Sequence, residues 1–193
     1  TSTPCQLQAF ESGAIGSKNV VIMVGGLTDG LLACPYVPAV SIRCKANSYA
    51  LIQPILRSSY CQFGMQTLAN DVEDLNSLVD FLRSSRGDDL AITFIGHSTG
   101  CQIAVTFCKT SQLALDFVKK VVLQAPVSDR EALLLEESND FVKNLIVNAN
   151  NLVEAGKGRS IVHSLYGIAP LTATRTLDLF SEGGLDDMFS SYL

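Results

Sequence analysis

The sequence predicts an α/β fold in which helices flank a parallel sheet. Short runs of apolar and β-branched residues alternate with longer segments of helical periodicity, an order typical of parallel strands joined by crossover helices. Hydrophobic residues make up 47% of the 193 residues and charged residues 17%, which suits one globular unit with a large buried sheet. A glycine-serine-glycine pattern at the junction of one strand and one helix gives a third indication.

Five segments are expected to form strands. Four are apolar or β-branched, as in strands buried on both faces, and one alternates weakly, as at a sheet edge. The buried strands are predicted at residues 19–24, 48–56, 90–95 and 117–123, and the edge strand at residues 5–10. Pro54 marks a bulge or the end of its strand, because proline cannot donate a hydrogen bond to a sheet.

Helices are expected between these strands. A helix within residues 31–43 is interrupted or delayed by Pro35 and Pro38. Apolar residues from Met65 to Leu82 recur at three- and four-residue steps, which predicts an amphipathic helix that covers one face of the sheet. Its polar side is expected to carry Asn70, Asp71, Glu73, Asp74 and Asp80.

The pattern Gly96-x-Ser98-x-Gly100 lies where the strand of residues 90–95 passes into an apolar helix. It is the pattern of a nucleophile elbow, a turn so tight that side chains two residues before and after the serine would collide with backbone. The serine hydroxyl then stands at the carboxyl end of the strand, beside helix N–H groups that stabilise negative charge. Ser98 is the candidate nucleophile. The alternative is an ordinary strand-to-helix turn with Ser98 as its N-cap.

Backbone N–H groups near Ser98 are candidates for an oxyanion hole. The N–H of Thr99 follows the nucleophile directly and would be one donor. The glycine-rich residues 25–30 follow an early buried strand, where hydrolases with an elbow take their second donor, so Gly26 and Leu27 are candidates. The alternative is a simple strand-to-helix turn in which a side chain of this loop caps the helix.

The base of a serine hydrolase would have to be one of two histidines. His97 is adjacent to Ser98 and points to another side of the strand end, so it is expected to pack under the elbow. His163 follows both Ser98 and Asp129, which satisfies the order serine, acid, histidine. A triad of Ser98, Asp129 and His163 is one hypothesis. In the other, His163 is solvated or structural, and Asp129 caps a helix or pairs with an arginine.

The alternation of predicted strands and helices ends after residue 128. Ser128-Asp129-Arg130-Glu131 resembles a capping box at the start of a helix. Further helices are expected at residues 141–153 and 170–180, with a loop at residues 161–169. No strand is predicted in residues 129–193. We therefore expect a core of residues 1–128 that is covered at the edge of its sheet by a helical cap of residues 129–193.

Composition argues against several kinds of partner. A net charge of −5 without a cluster of Lys or Arg disfavours nucleic acid and acidic membrane surfaces. No apolar run reaches the length of about 18 residues that a membrane span needs, and residues 1–3 do not resemble a signal peptide. Six cysteines without C-x-x-C spacing and two histidines form no recognisable ligand set, so no metal or other cofactor is expected. Reduced thiols in a cytoplasmic protein are the expectation.

Five short stretches, spread over nearly the whole chain, carry a family resemblance. They are residues 25–32 (GGLTDGLL), 58–60 (SSY), 96–102 (GHSTGCQ), 123–131 (LQAPVSDRE) and 186–191 (DDMFSS). In this order they resemble one branch of the α/β-hydrolase superfamily, a family of largely uncharacterised eukaryotic proteins that includes fungal siderophore esterases of the fusarinine type. Together the five stretches are far more specific than the elbow pattern alone.

The resemblance implies an α/β-hydrolase-like fold in which Ser98 is the nucleophile and Leu27 and Thr99 donate the oxyanion-hole N–H groups. It also implies that the segment after Asp129 shapes an acyl pocket. In the family the chain continues into further strands that supply the acid and the histidine, whereas this sequence stops at Leu193. The expectation is that C-terminal core strands are missing, in a fragment, in a natural short form that no longer catalyses, or in a protein with a rearranged triad. The exposed apolar sheet edge that results predicts a homodimer or aggregation.

Two functional hypotheses follow from these observations. In the first, the chain is an esterase-like serine hydrolase of small-molecule esters or amides that forms an acyl-enzyme on Ser98. In the second, it is a non-catalytic α/β-hydrolase-like module that binds a ligand or a partner, because the base is absent. Nucleotide binding is disfavoured, since residues 25–30 lack both the G-x-G-x-x-G pattern and the P-loop lysine.

Overall fold

The computed structural model describes residues 7–191. Its strands are β1 (Gln8–Gly13), β2 (Asn19–Val24), β3 (Ala50–Ile55), β4 (Ala91–His97), β5 (Val118–Gln124), β6 (Ile161–Leu165) and β7 (Ala169–Thr172). Its α-helices are α1 (Val37–Ala46), α2 (Leu68–Arg86), α3 (Gly100–Thr110), α4 (Gln112–Phe117), α5 (Asp129–Glu136), α6 (Asn139–Glu154) and α7 (Ala173–Phe180), and a 3-10 helix (Tyr60–Gln62) follows β3. None of the helices in this part of the chain combines the length and the apolar character needed to cross a bilayer.

The first five strands form one sheet in the order β1-β3-β2-β4-β5. Strands β2 to β5 run parallel, and β1 pairs antiparallel with β3 at one edge. This arrangement confirms the predicted α/β fold and parallel sheet. Residues 5 and 6 of the predicted edge strand lie outside the described residues, and the strand itself begins at Gln8.

Helices cover both faces of this sheet, which explains why the central strands are apolar on both sides. Val20, Ile22 and Phe94 pack with α2 and α3 on one face. Val21 and Met23 pack with α1 on the other face. A strand buried in this way has no polar face, so an uninterrupted apolar run marks the middle of the sheet.

Prolines set the limits of two neighbouring elements. Pro38 lies in the first turn of α1, where its missing N–H is not needed, and the helix begins late, at Val37, as predicted. The parallel pairing of β2 with β3 ends at Ile22 and Ile52, just before Pro54. Beyond this point β3 pairs only with the edge strand β1.

The prediction that residues 129–193 contain no strand is wrong. Residues 161–169, expected to be a loop, hold β6 and lead into β7, and the two strands form an antiparallel hairpin. Tyr166 and Gly167 in the three-residue turn both have positive φ (53° and 69°), a conformation that glycine, asparagine and aspartate adopt most readily. The strands are short and tyrosine stands where asparagine or aspartate is usual, so the sequence carried little hairpin signal.

The segments that follow β5 pack against loops at the carboxyl end of the sheet. Leu133 in α5, Leu145 in α6 and Leu179 in α7 form a second hydrophobic cluster with Phe63, which belongs to the loop after β3. The neighbouring Gly64 lies directly against β7, where any side chain would collide with the backbone of the hairpin. The C-terminal elements therefore cover the loops of the core rather than one face of its sheet.

Ser128 is the N-cap of α5, as predicted, but the predicted capping box is only half formed. The Ser128 hydroxyl accepts the N–H of Glu131 at 3.1 Å, which is the first half. The Glu131 carboxylate, however, accepts hydrogen bonds from the N–H and the hydroxyl of Ser191. The Ser128 hydroxyl also bonds that of Ser190, so the stretch 186–191 is tied to the start of α5.

Strand β5 forms the second edge of the sheet. Its side chains Val121, Val122 and Leu123 are 41%, 47% and 38% exposed. Consecutive residues of a strand point to opposite faces, so β5 has partly exposed apolar side chains on both faces, and within residues 7–191 no strand pairs with its outer edge. An apolar strand in this position favours pairing with another strand.

Candidate active site

The carboxyl ends of the four parallel strands meet at one edge of the sheet, where loop backbone adopts an unusual conformation. Each of these strands is followed by a non-glycine residue with positive φ: Thr28 (63°), Tyr60 (59°), Ser98 (52°) and Ala125 (51°). Side chains disfavour this region of backbone space, and residues held there concentrate at functional sites. Sites in open parallel sheets also lie beyond the carboxyl ends of the strands.

Ser98 lies in a sharp turn between β4 and α3. A Cβ on Gly96 would lie 2.7 Å from the carbonyl carbon of Gly100, and a Cβ on Gly100 would lie 2.5 Å from the carbonyl oxygen of Gly25. Both glycines are therefore required by neighbouring backbone, as the elbow pattern predicts. The N-cap of α3 is Thr99, without a side-chain cap, so the alternative in which Ser98 caps the helix is wrong.

The glycine-rich loop after β2 lies against Ser98. A Cβ on Gly26 would lie 2.8 Å from Cβ and 3.3 Å from Oγ of Ser98, so only glycine fits without a shift. The N–H of Gly26 donates to the Asp29 carboxylate at 2.7 Å, which closes the loop into a turn. The aromatic ring of Tyr60 packs on Gly30 and holds the loop from its other side.

The N–H groups of both residues that the family resemblance names as oxyanion donors have no acceptor. Among residues 7–191, the N–H groups of Leu27 and Thr99 make no hydrogen bond, whereas that of Gly26 is taken by Asp29. Leu27 and Thr99 line one cavity of about 40 Å³, which we call the elbow cavity. Of the two candidates in the glycine-rich loop, Leu27 is thus the one whose N–H is available to an oxyanion.

His97 packs behind the elbow, as predicted. Its Nδ1 contacts Oε1 of Gln124, and the Tyr36 hydroxyl donates to the same oxygen at 2.7 Å. Ligand atoms of Asp29, Cys34 and His97 lie within 4.8 Å of one another and are the group in residues 7–191 that could reach a metal ion. Asp29 already binds the N–H of Gly26 and His97 already contacts Gln124, so we assign them to holding the loop and the elbow.

The two proposed triad partners are not brought to Ser98. Asp129 opens α5, and its Oδ2 accepts a hydrogen bond from Nε2 of Gln102 at 2.9 Å. His163 lies on β6 with its ring edge-on to Phe141, at a centroid distance of 5.3 Å. Within the described residues neither side chain is hydrogen-bonded to Ser98 or to the other, so this triad stays a prediction.

Asp129 is half-buried, and its pKa is raised. Desolvation raises the pKa of Asp129 to about 7, and the Asp186 carboxylate adds to the rise, while Arg175 opposes it. Asp129 also lines a cavity of about 30 Å³ together with Leu27 and Tyr166. A carboxyl group with such a pKa beside a candidate oxyanion donor is a functional candidate on electrostatic grounds.

Sequence reasoning missed a buried ion cluster beside the elbow cavity. The guanidinium of Arg175 binds both carboxylate oxygens of Asp186, and its Nε donates to the carbonyl of Phe63 at 2.9 Å. Asp71, expected on the polar side of α2, is 1% exposed. Asp74, expected on the same side, is also buried and pairs with Arg57. Helical periodicity carried no signal for this burial, because the covering elements lie far away in the sequence.

A protein-family model matches residues 1–193 of this chain; its description is "Protein of unknown function (DUF1749)". Among curated proteins, the chain is 35% identical over 187 residues to UPF0613 protein PB24D3.06c of Schizosaccharomyces pombe, covering 92% of this chain and 58% of that protein. It is 26% identical over 134 residues to Fusarinine C esterase sidJ of Aspergillus fumigatus, covering 58% of this chain and 38% of that protein. The chain thus spans about half the length of the curated relatives it matches.

Comparison with solved structures gives the same fold. Siderophore hydrolase EstB from Aspergillus fumigatus superposes with a TM-score of 0.73 at 25% sequence identity, covering 99% of this chain and 67% of that one. The neighbours in fold are α/β hydrolases. This likeness confirms the predicted α/β-hydrolase-like sheet with its flanking helices.

Proposed function

The chain belongs to the DUF1749 family and has the α/β-hydrolase fold, and from this premise we propose that it carries the nucleophile and the oxyanion hole of a serine ester hydrolase. Ser98 is the nucleophile in this proposal, and the N–H groups of Leu27 and Thr99 are the oxyanion donors. One observation carries it: a serine with positive φ lies in contact with Gly26, beside two N–H groups that have no acceptor within residues 7–191.

The proposed reaction proceeds through an acyl-enzyme. Oγ of Ser98 attacks the carbonyl carbon of the ester while its proton passes to a base. The carbonyl oxygen becomes negative and accepts hydrogen bonds from Leu27 and Thr99. The bond to the alcohol then breaks, and the alcohol leaves with the proton. Water attacks the acyl group on Ser98 in the same way and releases the carboxylic acid.

A small-molecule ester is the proposed substrate class. A curated relative is named an esterase, and a solved neighbour is described as a siderophore hydrolase, which supports ester hydrolysis as the reaction type. In the same proposal residues 1–128 form the hydrolase core and residues 129–193 form the cap over its loops. A cytoplasmic location belongs to the proposal too, and is supported by five free thiols in residues 7–191.

A second candidate function is a ligand-binding module without catalysis. It is favoured by one observation: within residues 7–191, the Ser98 hydroxyl has no hydrogen-bonded base. Ligand binding would use the same elbow cavity and the same two N–H groups. The two candidates differ in whether Ser98 becomes acylated.

Covalent labelling decides between these functions. A fluorophosphonate should add one label to the chain, detected by intact mass, and Ser98→Ala should abolish it. Ser77→Ala is the control, because Ser77 lies on the exposed side of α2 and its hydroxyl donates to the carbonyl of Glu73. Labelling of Ser98→Ala at the wild-type rate, or no labelling of wild type, would contradict the serine hydrolase. Ligand binding without catalysis would then remain as the proposed function.

A further inference from the structure

Three side chains from separate segments bring metal-binding atoms together behind the elbow. Asp29 follows β2, Cys34 precedes α1 and His97 ends β4. One carboxylate oxygen, the thiol sulfur and one ring nitrogen of these residues, which we call the ligand cluster, lie within 4.8 Å of one another. Ligand atoms around a tetrahedral zinc ion are about 3.5 Å apart, because the bonds to zinc are about 2.0–2.3 Å long. Small side-chain movements therefore bring all three atoms within bonding distance of one ion.

The hydrogen bonds that two of these side chains make are those expected around a metal ion. Nδ1 of His97 contacts Oε1 of Gln124, which leaves Nε2 for a metal. Oδ2 of Asp29 accepts the N–H of Gly26, which leaves Oδ1. Metal-binding imidazoles commonly donate their other ring N–H to an oxygen, and metal-binding carboxylates are themselves hydrogen-bonded. The bonds that hold the loop and the elbow therefore also orient two members of the ligand cluster.

The thiol of the cluster is buried but can be reached. Cys34 is 5% exposed and forms no disulfide. Burial and a hydrogen bond to Cys34 raise the pKa of Tyr36, so the Tyr36 hydroxyl stays protonated beside this sulfur. Cys34 and Asp29 both line the elbow cavity, which gives an ion a path to the cluster.

The ligand types select one class of metal. Magnesium and calcium take oxygen ligands, whereas a thiolate and an imidazole favour zinc and similar transition metals. A carboxylate is also an ordinary zinc ligand, and three protein ligands leave the fourth tetrahedral position to water. The ligand cluster is therefore a zinc-type set.

We propose that Asp29, Cys34 and His97 bind a zinc ion. The ion ties the glycine-rich loop, which carries the N–H of Leu27, to the strand end that precedes Ser98. This inference does not depend on ester hydrolysis, because metal binding is measured without a substrate. The sequence-based expectation of no metal considers spacing along the chain, whereas these three ligands meet only in the folded protein.

Cobalt titration tests the site directly. A thiolate bound to Co²⁺ gives a charge-transfer band in the near ultraviolet, and tetrahedral Co²⁺ absorbs strongly in the visible. The reduced chain, without an affinity tag, should bind one Co²⁺ and show both bands. The absence of a charge-transfer band from the wild-type chain overturns the proposal.

Matched cysteine variants assign the charge-transfer band to Cys34. Cys34→Ser should abolish this band. Cys44→Ser is the control and should retain it, because Cys44 is also a buried free thiol but does not belong to the ligand cluster. A band that survives Cys34→Ser, or that disappears from a folded Cys44→Ser protein, overturns the proposal.

Variants of the other two ligands provide an independent measurement. His97→Gln and Asp29→Asn should each raise the Kd for Co²⁺ by at least about tenfold, because each removes one bond to the metal. His163→Gln is the control, since the His163 ring packs against Phe141 on another part of the molecule. An unchanged Kd in His97→Gln overturns the proposal, and this variant decides the question if Cys34→Ser does not fold.

Competition identifies the class of metal. One equivalent of Zn²⁺ should remove the cobalt bands, because zinc accepts a tetrahedral site with thiolate and imidazole ligands. A large excess of Mg²⁺ should leave them unchanged, because magnesium requires oxygen ligands. Cobalt bands that persist with excess Zn²⁺, or that Mg²⁺ removes, overturn the proposal.

Discussion

At the scale of single residues, the candidate site depends on positions where a side chain is forbidden. Gly96 and Gly100 let the turn close on itself, and Gly26 lets the neighbouring loop touch Ser98. Ser98 then adopts a φ of 52°, which a non-glycine residue holds only when its surroundings fix it. The nucleophile is therefore positioned by the absence of neighbouring side chains as much as by contacts.

Gly26→Ala should mainly slow the acylation of Ser98, with a smaller effect on the free energy of unfolding. The new Cβ would lie 2.8 Å from Cβ of Ser98, so the serine or the loop must move. Displacement of a reacting group by about 1 Å can cost 100-fold in rate, so we expect a fall of about 100-fold in the rate of fluorophosphonate labelling.

Gly16→Ala is the matched control for this change. An added Cβ there meets no atom within 4 Å, although its φ of 80° makes alanine unfavourable by about 1 kcal/mol. The control should lose stability and keep its labelling rate. Labelling of Gly26→Ala at the wild-type rate would contradict the close approach of the loop to Ser98.

Asp129→Asn should stabilise the protein at pH 8 and not at pH 4. The pKa of Asp129 is about 7 in the folded protein and about 3.9 in an unfolded chain. Between these values the folded state binds more protons, so the wild-type free energy of unfolding falls as the pH rises from about 4 to about 7. Three pKa units correspond to about 4 kcal/mol, so removing the charge should recover up to about 4 kcal/mol at pH 8, measured by urea unfolding.

Asp89→Asn should change stability in the opposite direction. Lys18 lowers the pKa of Asp89, so this carboxylate contributes stability above its unfolded pKa and loses the contribution as the pH falls. Comparison of the two variants at pH 4 and pH 8 controls for the loss of one negative charge. An Asp129→Asn protein that is equally or less stable than wild type at pH 8 would contradict the raised pKa.

At the scale of elements, the C-terminal helices are joined to the core through buried polar contacts. Helix α7 carries Arg175, which reaches the carbonyl of Phe63 in the loop after β3. The start of α5 is bonded to Ser190 and Ser191 in the last stretch of the described chain. These bonds fix the elements that cover the elbow cavity relative to the loops that form it.

Arg175→Met should be strongly destabilising. It leaves Asp186 buried without its partner, and breaking a buried ion pair from one side typically costs about 3–5 kcal/mol. The double variant Arg175→Met with Asp186→Leu removes both charges and should recover most of this loss. Free energies of unfolding from urea titrations give both values.

An exposed ion pair provides the control for Arg175. Arg83 pairs with Asp80 on the surface of α2 at 3.1 Å, and Arg83→Met should cost less than about 1 kcal/mol. Equal losses for Arg83→Met and Arg175→Met would contradict a structural role of the buried pair.

At the scale of the whole molecule, the two edges of the sheet differ. Strand β1 closes one edge with an antiparallel pairing, and β5 presents three exposed apolar side chains at the other. The candidate site lies at the carboxyl end of the sheet and close to this open edge, since Ser98 N–H donates to the carbonyl of Gln124 at the end of β5. The exposed edge of β5 therefore lies beside the candidate nucleophile.

The 193-residue chain should self-associate through β5. Size-exclusion chromatography with light scattering should detect dimers or larger species that increase with concentration, because an exposed apolar edge strand pairs with other strands. Val122→Lys should shift the distribution towards monomer. Val147→Lys, an equally apolar and exposed position on α6, should not. A clean monomer at high concentration would contradict this prediction.

Local sequence patterns determined most of the core of this protein. Apolar runs identify β2 to β5 because strands buried on both faces need no polar residues, and the first five strands lie within a few residues of their predicted places. The elbow could be predicted because its two glycines are required by backbone that is close in sequence. The hairpin of β6 and β7 could not, because short strands and a Tyr-Gly turn carry little local signal.

What the tertiary structure decided is which polar groups are buried and which N–H groups are available. The sequence could not place Asp71 inside, because the charged groups that surround it there include Arg175 and Asp186, more than a hundred residues away. It could not choose between Gly26 and Leu27, because a side chain, Asp29, takes one of the two N–H groups. Periodicity encodes the local burial of a helix or a strand, whereas the pairing of a polar group depends on the conformation that its loop adopts and on the elements that pack over it.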